Sequence, residues 1–125
     1  MSHAITWFEI PVTDLDRAMR FYATVTGRQL QRMDFGVPGE EDAVFETSEA
    51  SDLKGALLKS PRALPSAQGS IVYLNIGSGL EQCLERVKQA GGAIAQGKTA
   101  LPPGMGAFAH IIDTEGNRVG VHAID

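Results

Sequence analysis

Glu9 and His122, near opposite ends of the chain, are the residue types that acid–base chemistry requires. A carboxylate in a strand is costly to bury alone, so Glu9 should either reach water or bind a partner such as Asn75 or His122. Proton abstraction beside a carbonyl needs a positioned carboxylate and a group that stabilises the enolate oxygen, which a cationic histidine or a metal could supply. The pair therefore indicates either acid–base chemistry or a structural hydrogen bond of His122 to Glu9 or to backbone.

The elements that would position these residues come from an internal repeat of about 65 residues. Matching positions recur in the same order: Ile5 and Ile71, Leu15 and Leu80, Gly27 and Gly92, and residues 54–57 and 119–122. We therefore expect a single domain, residues 1–125, made of two modules at about 3–60 and 70–125. Residues 60–69 have the composition of a surface linker.

Each module is predicted to have the order β-α-β-β-β. Apolar residues at helical spacing predict one helix from Leu15 to Val25 and another from Leu80 to Ala90. Thr13 and Ser78 resemble helix caps, while Gly27 and the pair Gly91–Gly92 resemble helix stops. The remaining runs predict strands at 5–12, 29–35, 43–47, 54–59, 70–76, 93–96, 107–112 and 118–124.

One helix can cover only one face of its sheet, so the other faces should form a curved half-barrel sheet with a cleft, in an α+β fold of tandem βαβββ modules. Strand alternation assigns residues to this cleft face. In the first and fifth strands they are Trp7, Glu9, Tyr73 and Asn75; in the last strand they are Gly120 and His122, with Gly55 and Leu57 as their counterparts. The face of His110 is left open, since its counterpart in the repeat is Phe45.

Two segments resemble vicinal-oxygen-chelate (VOC) proteins, the superfamily of glyoxalase I, bleomycin-resistance proteins and extradiol dioxygenases. Residues 7–27 (WFEIPVTDLDRA…FY…G) resemble the opening of these proteins, and residues 109–122 (AHIIDTEGNRVGVH) resemble their closing hairpin. The resemblance covers nearly the whole chain and implies the glyoxalase/bleomycin-resistance/dioxygenase-like fold. The superfamily includes isomerases, dioxygenases, epimerases, thiol transferases and drug-sequestering proteins, so it implies no single activity.

The resemblance also implies a metal site with His, Gln or Glu ligands on the first, fourth, fifth and eighth strands. The aligned positions hold Trp7, Gly55, Ile71 or Tyr73, and Gly120, none of which is a suitable ligand for a divalent cation. We therefore predict no metal at the usual positions and no cofactor. A divalent metal could bind only at a shifted site formed by Glu9 and His122, with His110 as a third ligand.

Three functions follow as alternatives. The first is a VOC protein without the usual metal ligands that binds a small aromatic or amphipathic molecule in the cleft, through Trp7, Glu9, Tyr73, Asn75 and His122. The second is a glyoxalase-like lyase or isomerase, or a dioxygenase, that uses Glu9 and His122 at the shifted site. The third is an accessory module that dimerises or binds a protein. The sequence leaves open whether the protein is an enzyme.

Composition limits the partners. The 125 residues have a net charge of −4 with acidic and basic residues interspersed, so no basic stripe is available for nucleic acid. No apolar run approaches the ~20 residues that span a bilayer, so we expect no membrane partner. Residues 1–4 show no export signal, which favours a cytoplasmic location. Cys83, the single cysteine, is expected in the core, and a homodimer is the commonest assembly for such a chain.

Overall fold

The computed structural model describes residues 3–125 as two successive βαβββ modules. The first contains β1 (Trp7–Pro11), α1 (Leu15–Thr26), β2 (Leu30–Met33), β3 (Glu41–Phe45) and β4 (Lys54–Lys59). The second contains β5 (Tyr73–Gly77), α2 (Leu80–Gln89), β6 (Ala93–Ala100), β7 (Ala107–Ile112) and β8 (Arg118–Ala123). The sheets have the equivalent strand orders β1-β4-β3-β2 and β5-β8-β7-β6. The predicted tandem α+β architecture is confirmed.

In each sheet the first and last strands of the module pair in parallel, and the other pairs are antiparallel. The first strand of each module, β1 or β5, therefore lies at one edge of its sheet, and β2 or β6 lies at the other. The prediction of a cytoplasmic location rests on residues 1–4, of which Met1 and Ser2 lie outside the described residues. Within residues 3–125 no helix is long and apolar enough to cross a membrane.

The helix ends differ in detail from the sequence prediction. Asp14, one residue after the predicted cap Thr13, caps α1, because its carboxylate accepts the Arg17 amide at 3.0 Å. Ser78 does not cap α2, which begins after Gly79 in a left-handed conformation without a side-chain cap. Gly27 ends α1 with a φ of 71°, as predicted.

The strand β6 is longer than predicted. It continues from Ala93 to Ala100, because Thr99 and Ala100 pair with Phe108 and Ala107 of β7. Two register shifts interrupt this pairing, and the sequence pattern ended the predicted strand there, at residue 96. The connection to β7 is consequently a short loop, residues 101–106.

One core joins the two modules. Its largest fully buried side chains come from both, among them Tyr22, Phe21, Leu57, Leu80 and Ile111. Helix α1 packs on α2. The ring of Phe21 lies so close to Gly92 that a Cβ on this glycine would be 2.7 Å from the ring. Cys83 is completely buried in this core, as predicted, and burial raises the pKa of its thiol. Burying the helices between the modules leaves the opposite faces of both sheets free.

The turn between β7 and β8 fastens the second module to the first. The Tyr22 hydroxyl donates to the Asp113 carboxylate at 2.6 Å, and the Asn117 amide donates to the Pro11 carbonyl at 2.7 Å. The fully buried Glu115 carboxylate accepts the backbone amides of Thr13 and Asp14 at 2.9 and 3.0 Å. We call residues 113–117 the clasp.

Arg17 completes the clasp by donating from Nε to Glu115 at 2.7 Å. Burial by itself would raise the pKa of the Glu115 carboxyl. The hydrogen bonds from Arg17 and from the Asp14 and Thr13 amides outweigh it and lower the pKa from 4.5 to about 2. Glu115 is therefore an anion that joins the start of α1 to the second module.

Candidate functional site

Two of the residues assigned to the cleft face in the first module lie on the helix side. Gly55 pairs with Phe8, whose ring packs against the core, and Leu57 is fully buried in the core. In the second module, Gly120 pairs with Tyr73 on the open face, as predicted. The repeat is one residue longer in β4 and β8 than in the helices, and a slip of one residue exchanges the two faces of a strand. The counterparts of Gly120 and His122 are therefore Lys54 and Ala56, not Gly55 and Leu57.

On the open face of the first sheet, Trp7 and Glu9 contact each other. The Trp7 indole donates from Nε1 to Glu9 Oε2 at 3.3 Å, and both side chains are exposed. Phe35, which follows β2 at the opposite edge of the sheet, meets the Trp7 ring edge-on at a centroid distance of 6.1 Å. The segment after β2 thus folds back over this face and covers part of it.

Asp42 is an open-face residue that sequence reasoning missed. It lies in β3, alternates with the core residues Ala43 and Phe45, and is only 6% exposed. Burial, followed by the charges of Glu9, Glu40 and Asp34, raises the pKa of its carboxyl. The alternation of Asp42 with apolar residues could have placed it on the open face, but the sequence prediction began this strand at residue 43, one residue after Asp42.

The structure places His110 on the open face of the second sheet, 8% exposed and paired with Gly120. Arg118 donates from Nε to His110 Nδ1 at 2.9 Å, and His110 Nε2 lies 2.7 Å from the Tyr73 hydroxyl. Because a guanidinium can only donate, Nδ1 must be the unprotonated nitrogen and Nε2 must donate to the tyrosine oxygen. The hydroxyl proton of Tyr73 is then free to bind another molecule.

The electrostatics of His110 agree with this arrangement. Burial and, after it, the charge of Arg118 lower the pKa of His110 from its ordinary value of 6.5. Its assignment to the open face also shows that Phe45, a core residue, is not its counterpart. The rings of Tyr73 and Phe108 pack around it, with centroids 5.4 and 5.6 Å away.

Glu9 and His122 are not brought together. They lie in different sheets, and His122 hydrogen-bonds through Nε2 to the Met105 carbonyl in the loop 101–106, at 2.7 Å. Asn75 uses its side-chain oxygen to accept the Gly77 amide at 2.9 Å. Each of these residues therefore has its own local partner, and Glu9 and His122 share no hydrogen bond.

The residues on the open faces do not fit a divalent metal of the kind that the sequence resemblance implies. Throughout residues 3–125, no three His, Cys, Asp or Glu side chains are placed to hold one ion. Both ring nitrogens of His110 are engaged, one of them by a permanently charged guanidinium. The shifted set of Glu9, His110 and His122 is not assembled in this structure.

A pocket of about 490 Å³ lies between the two modules, where α1 ends. We call it the inter-module pocket; its lining comprises Phe8, Thr26, Arg28, Phe45, Thr47, Ser48, Asp52, Leu53, Lys54, Gly55, Tyr73, Leu74 and Asn75. The rings of Phe8 and Phe45 lie 5.8 Å apart and provide an aromatic floor. Of the predicted ligand-binding residues, the pocket brings together Tyr73 and Asn75 but not Trp7, Glu9 or His122.

Sequence reasoning could not find most of this pocket, because it forms only where the two modules meet. Glu9 lines a smaller pocket of about 230 Å³, together with Val72 and Arg118 of the second module. The predicted cleft residues are thus distributed over separate surfaces.

Comparison with known proteins gives matches over nearly the whole chain. A family model described as bleomycin resistance protein-like N-terminal matches residues 4–48. A glyoxylase-like domain-containing protein from Didymella fabae is 29% identical over 121 residues, covering 96% of this chain and 91% of that protein.

Solved structures share the fold at low identity. A mutant of glyoxalase I from Zea mays superposes with a TM-score of 0.72 at 21% identity, over 94% of this chain and 45% of that one. The trypanothione-dependent glyoxalase I of Leishmania major has a TM-score of 0.70 at 16% identity, over 98% and 88%. A genomically encoded fosfomycin resistance protein from Listeria monocytogenes has a TM-score of 0.66 at 14% identity, over 98% and 92%.

Proposed function

We propose that this chain is a member of the vicinal-oxygen-chelate superfamily, which its fold and its bleomycin-resistance-like N-terminal part support, and that it binds a small aromatic or amphipathic molecule without a divalent metal. The observation that carries the proposal is the inter-module pocket, whose volume of about 490 Å³ is typical of small-molecule sites. Its floor is aromatic and its rim is polar, a combination that suits a ligand with an apolar body and a polar group.

The apolar body of the ligand would lie on Phe8 and Phe45. Aromatic side chains bind flat molecules by offset or edge-on ring contacts, which add to the gain from burying apolar surface. Leu53 and Leu74 extend this apolar wall. The ligand contacts are therefore assigned to side chains that the fold holds in place by packing.

Two groups at the rim can bind the polar part. The Asn75 side-chain nitrogen makes no hydrogen bond among the described residues, so its two N–H groups can donate to a ligand. The Tyr73 hydroxyl, on the open face of the second sheet, also has a proton free to donate, because His110 already supplies the proton that its oxygen accepts, so a ligand that extends to that face could accept it. Tyr73 and Asn75 are thus the two predicted binding residues that the proposal keeps in the pocket.

The test is a titration of 15N-labelled, EDTA-treated protein with benzyl alcohol, followed by amide chemical shifts. The proposal predicts saturable shifts at Phe8, Tyr73 and Asn75, without added metal. Elemental analysis of the native protein should show no stoichiometric Zn²⁺, Ni²⁺, Fe²⁺ or Mn²⁺. A stoichiometric metal, or shifts only elsewhere, would contradict it.

The predicted homodimer remains part of this proposal. Trp7, Met33, Phe35 and Val37 are large apolar side chains that are exposed around the open face of the first sheet. Such a patch favours association with a second copy of the chain. Light scattering after gel filtration should give twice the mass of one chain, and the monomer mass would refute the dimer.

A further inference from the structure

We infer that the ligand of the inter-module pocket carries a carboxylate, which Arg28 binds, with Lys54 adding positive charge nearby; this inference rests on the proposed function. Both cations line the pocket, and both side chains are half-buried. The Arg28 guanidinium donates to the carbonyl of Asn75, another lining residue, so a molecule with an aromatic body and an acidic group could contact the floor and this guanidinium together.

Arg28 has no anionic partner among residues 3–125. Its Nη2 donates to the Asn75 carbonyl at 3.4 Å, a long hydrogen bond, and no described carboxylate lies within 4 Å of its guanidinium. Three other arginines do have carboxylate partners: Arg17 with Glu115, Arg32 with Asp16, and Arg62 with Glu40. A guanidinium has five N–H donors in a planar fork that matches a carboxylate, so most of the donors of Arg28 remain available.

Lys54 also has no carboxylate partner among the described residues. Its ammonium donates to the Glu49 and Ala50 carbonyls at 3.3 and 3.2 Å, and no described carboxylate lies within 4 Å of it. These two bonds hold the ammonium against the loop before β4 and leave its third N–H free.

The one carboxylate in the pocket lining does not neutralise these cations. Asp52 accepts the Glu49 amide at 3.0 Å and is thereby committed to its own loop. The lining thus has two cations and one anion, a net positive charge. Cations that are partly withdrawn from water without an anionic partner are costly, and a bound carboxylate would offset that cost.

The apolar side of the pocket depends on a glycine. A Cβ on Gly55 would lie 2.2 Å from the Phe8 ring, so only glycine lets this ring lie flat against β4. Lys54, which precedes this glycine, pairs with Trp7 and has its side chain on the opposite, open face of β4, so the contact with the carboxylate is assigned to Arg28.

The experiment compares benzoate with benzyl alcohol, a neutral molecule of similar shape, by amide shifts of the 15N-labelled protein. Benzoate should bind about tenfold more tightly, the size expected for one charge-assisted hydrogen-bond pair. Arg28→Gln should weaken benzoate about tenfold and benzyl alcohol less than about twofold, while Arg28→Lys retains part of the preference.

Arg20→Gln is the matched control. It removes the same charge from an exposed position on α1 outside the pocket, and should leave both affinities unchanged. The spectrum of each variant without ligand reports whether it is folded.

The outcomes separate the inference from the function on which it rests. Equal binding of benzoate and benzyl alcohol in the pocket, unaffected by Arg28→Gln, overturns the carboxylate and leaves the proposed function standing. Binding of neither molecule overturns both. Preference for benzoate that Arg28→Gln abolishes and Arg20→Gln preserves supports the inference.

Discussion

Arg118 donates a 2.9 Å hydrogen bond from Nε to Nδ1 of His110, on the open face of the second sheet. Since the guanidinium is always protonated, this contact fixes which nitrogen of the neutral imidazole carries the proton. The consequence reaches Tyr73, whose oxygen accepts from His110 and whose proton is thereby left for a ligand.

Replacing Arg118 with Gln should raise the pKa of His110. The charge of Arg118 lowers that pKa, although burial is the larger cause and would remain. The measurement is a pH titration of the imidazole nitrogens by long-range 1H–15N NMR. Arg20→Gln serves as control and should leave the titration of His110 unchanged; a pKa that falls or stays constant in Arg118→Gln would refute the contact.

The lowered pKa of His110 in the wild-type protein also predicts how stability depends on pH. Because the folded-state pKa of His110 lies below its ordinary 6.5, the unfolded state binds the proton more readily. The contribution of His110 to the free energy of unfolding should be complete above about pH 6.5 and decline as the pH falls toward the folded-state pKa. Urea unfolding between pH 8 and 5 should show this decline, and Arg118→Gln should reduce it.

Glu115→Gln should destabilise the protein by about 2 kcal/mol, because the buried carboxylate accepts charge-assisted hydrogen bonds from Arg17 and from backbone amides. The folded-state pKa is about 2 and the ordinary value 4.5. Its stabilisation is therefore complete above about pH 4.5 and lost as the pH falls toward 2. Urea unfolding measures both effects. Glu85→Gln, at an exposed ion pair, should change stability by less than about 0.5 kcal/mol, and a similar loss there would argue against the clasp.

Alanine at Gly55 or Gly120 should destabilise the protein by about 1–3 kcal/mol. The added Cβ would lie 2.2 Å from the Phe8 ring or 2.3 Å from the Tyr73 ring, so either ring must move. Gly97→Ala, which meets no atom within 4 Å, should be nearly neutral. Thermal unfolding compares the three variants, and equal effects at all three positions would show that the rings do not depend on these glycines.

The sequence was sufficient for the architecture, because the two hydrophobic periodicities are local signals and the repeat is visible when the two halves of the sequence are compared. It was less reliable for the faces of β4 and β8. A single extra residue in the repeat places Gly55 and Leu57 on the helix side, and no pattern in KGALLK reveals this slip, since both faces of that strand are buried. Asp42 was missed for a related reason, an error of one or two residues in the start of β3.

The inter-module pocket was beyond sequence reasoning altogether. Its lining comes from β1, the end of α1, β3, β4 and the loop before it, and β5, and the segments of the two modules meet only through the packing of the modules. Tyr73 and Asn75 could be predicted from strand alternation. Arg28 and Lys54 could not, because an unpaired cation is recognised only when all its neighbours are known.

The most direct test of the account is to fill the pocket. Ser48 lines it, is exposed and makes no side-chain hydrogen bond among the described residues, so Ser48→Phe should occupy the space without removing a contact. Ser51→Phe introduces the same ring at an exposed position outside the lining. Calorimetric titration with benzoate should show binding to the wild type and to Ser51→Phe, and at least about tenfold weaker binding to Ser48→Phe. Equal affinity of all three proteins, or no binding to the wild type, would contradict a ligand site in the inter-module pocket.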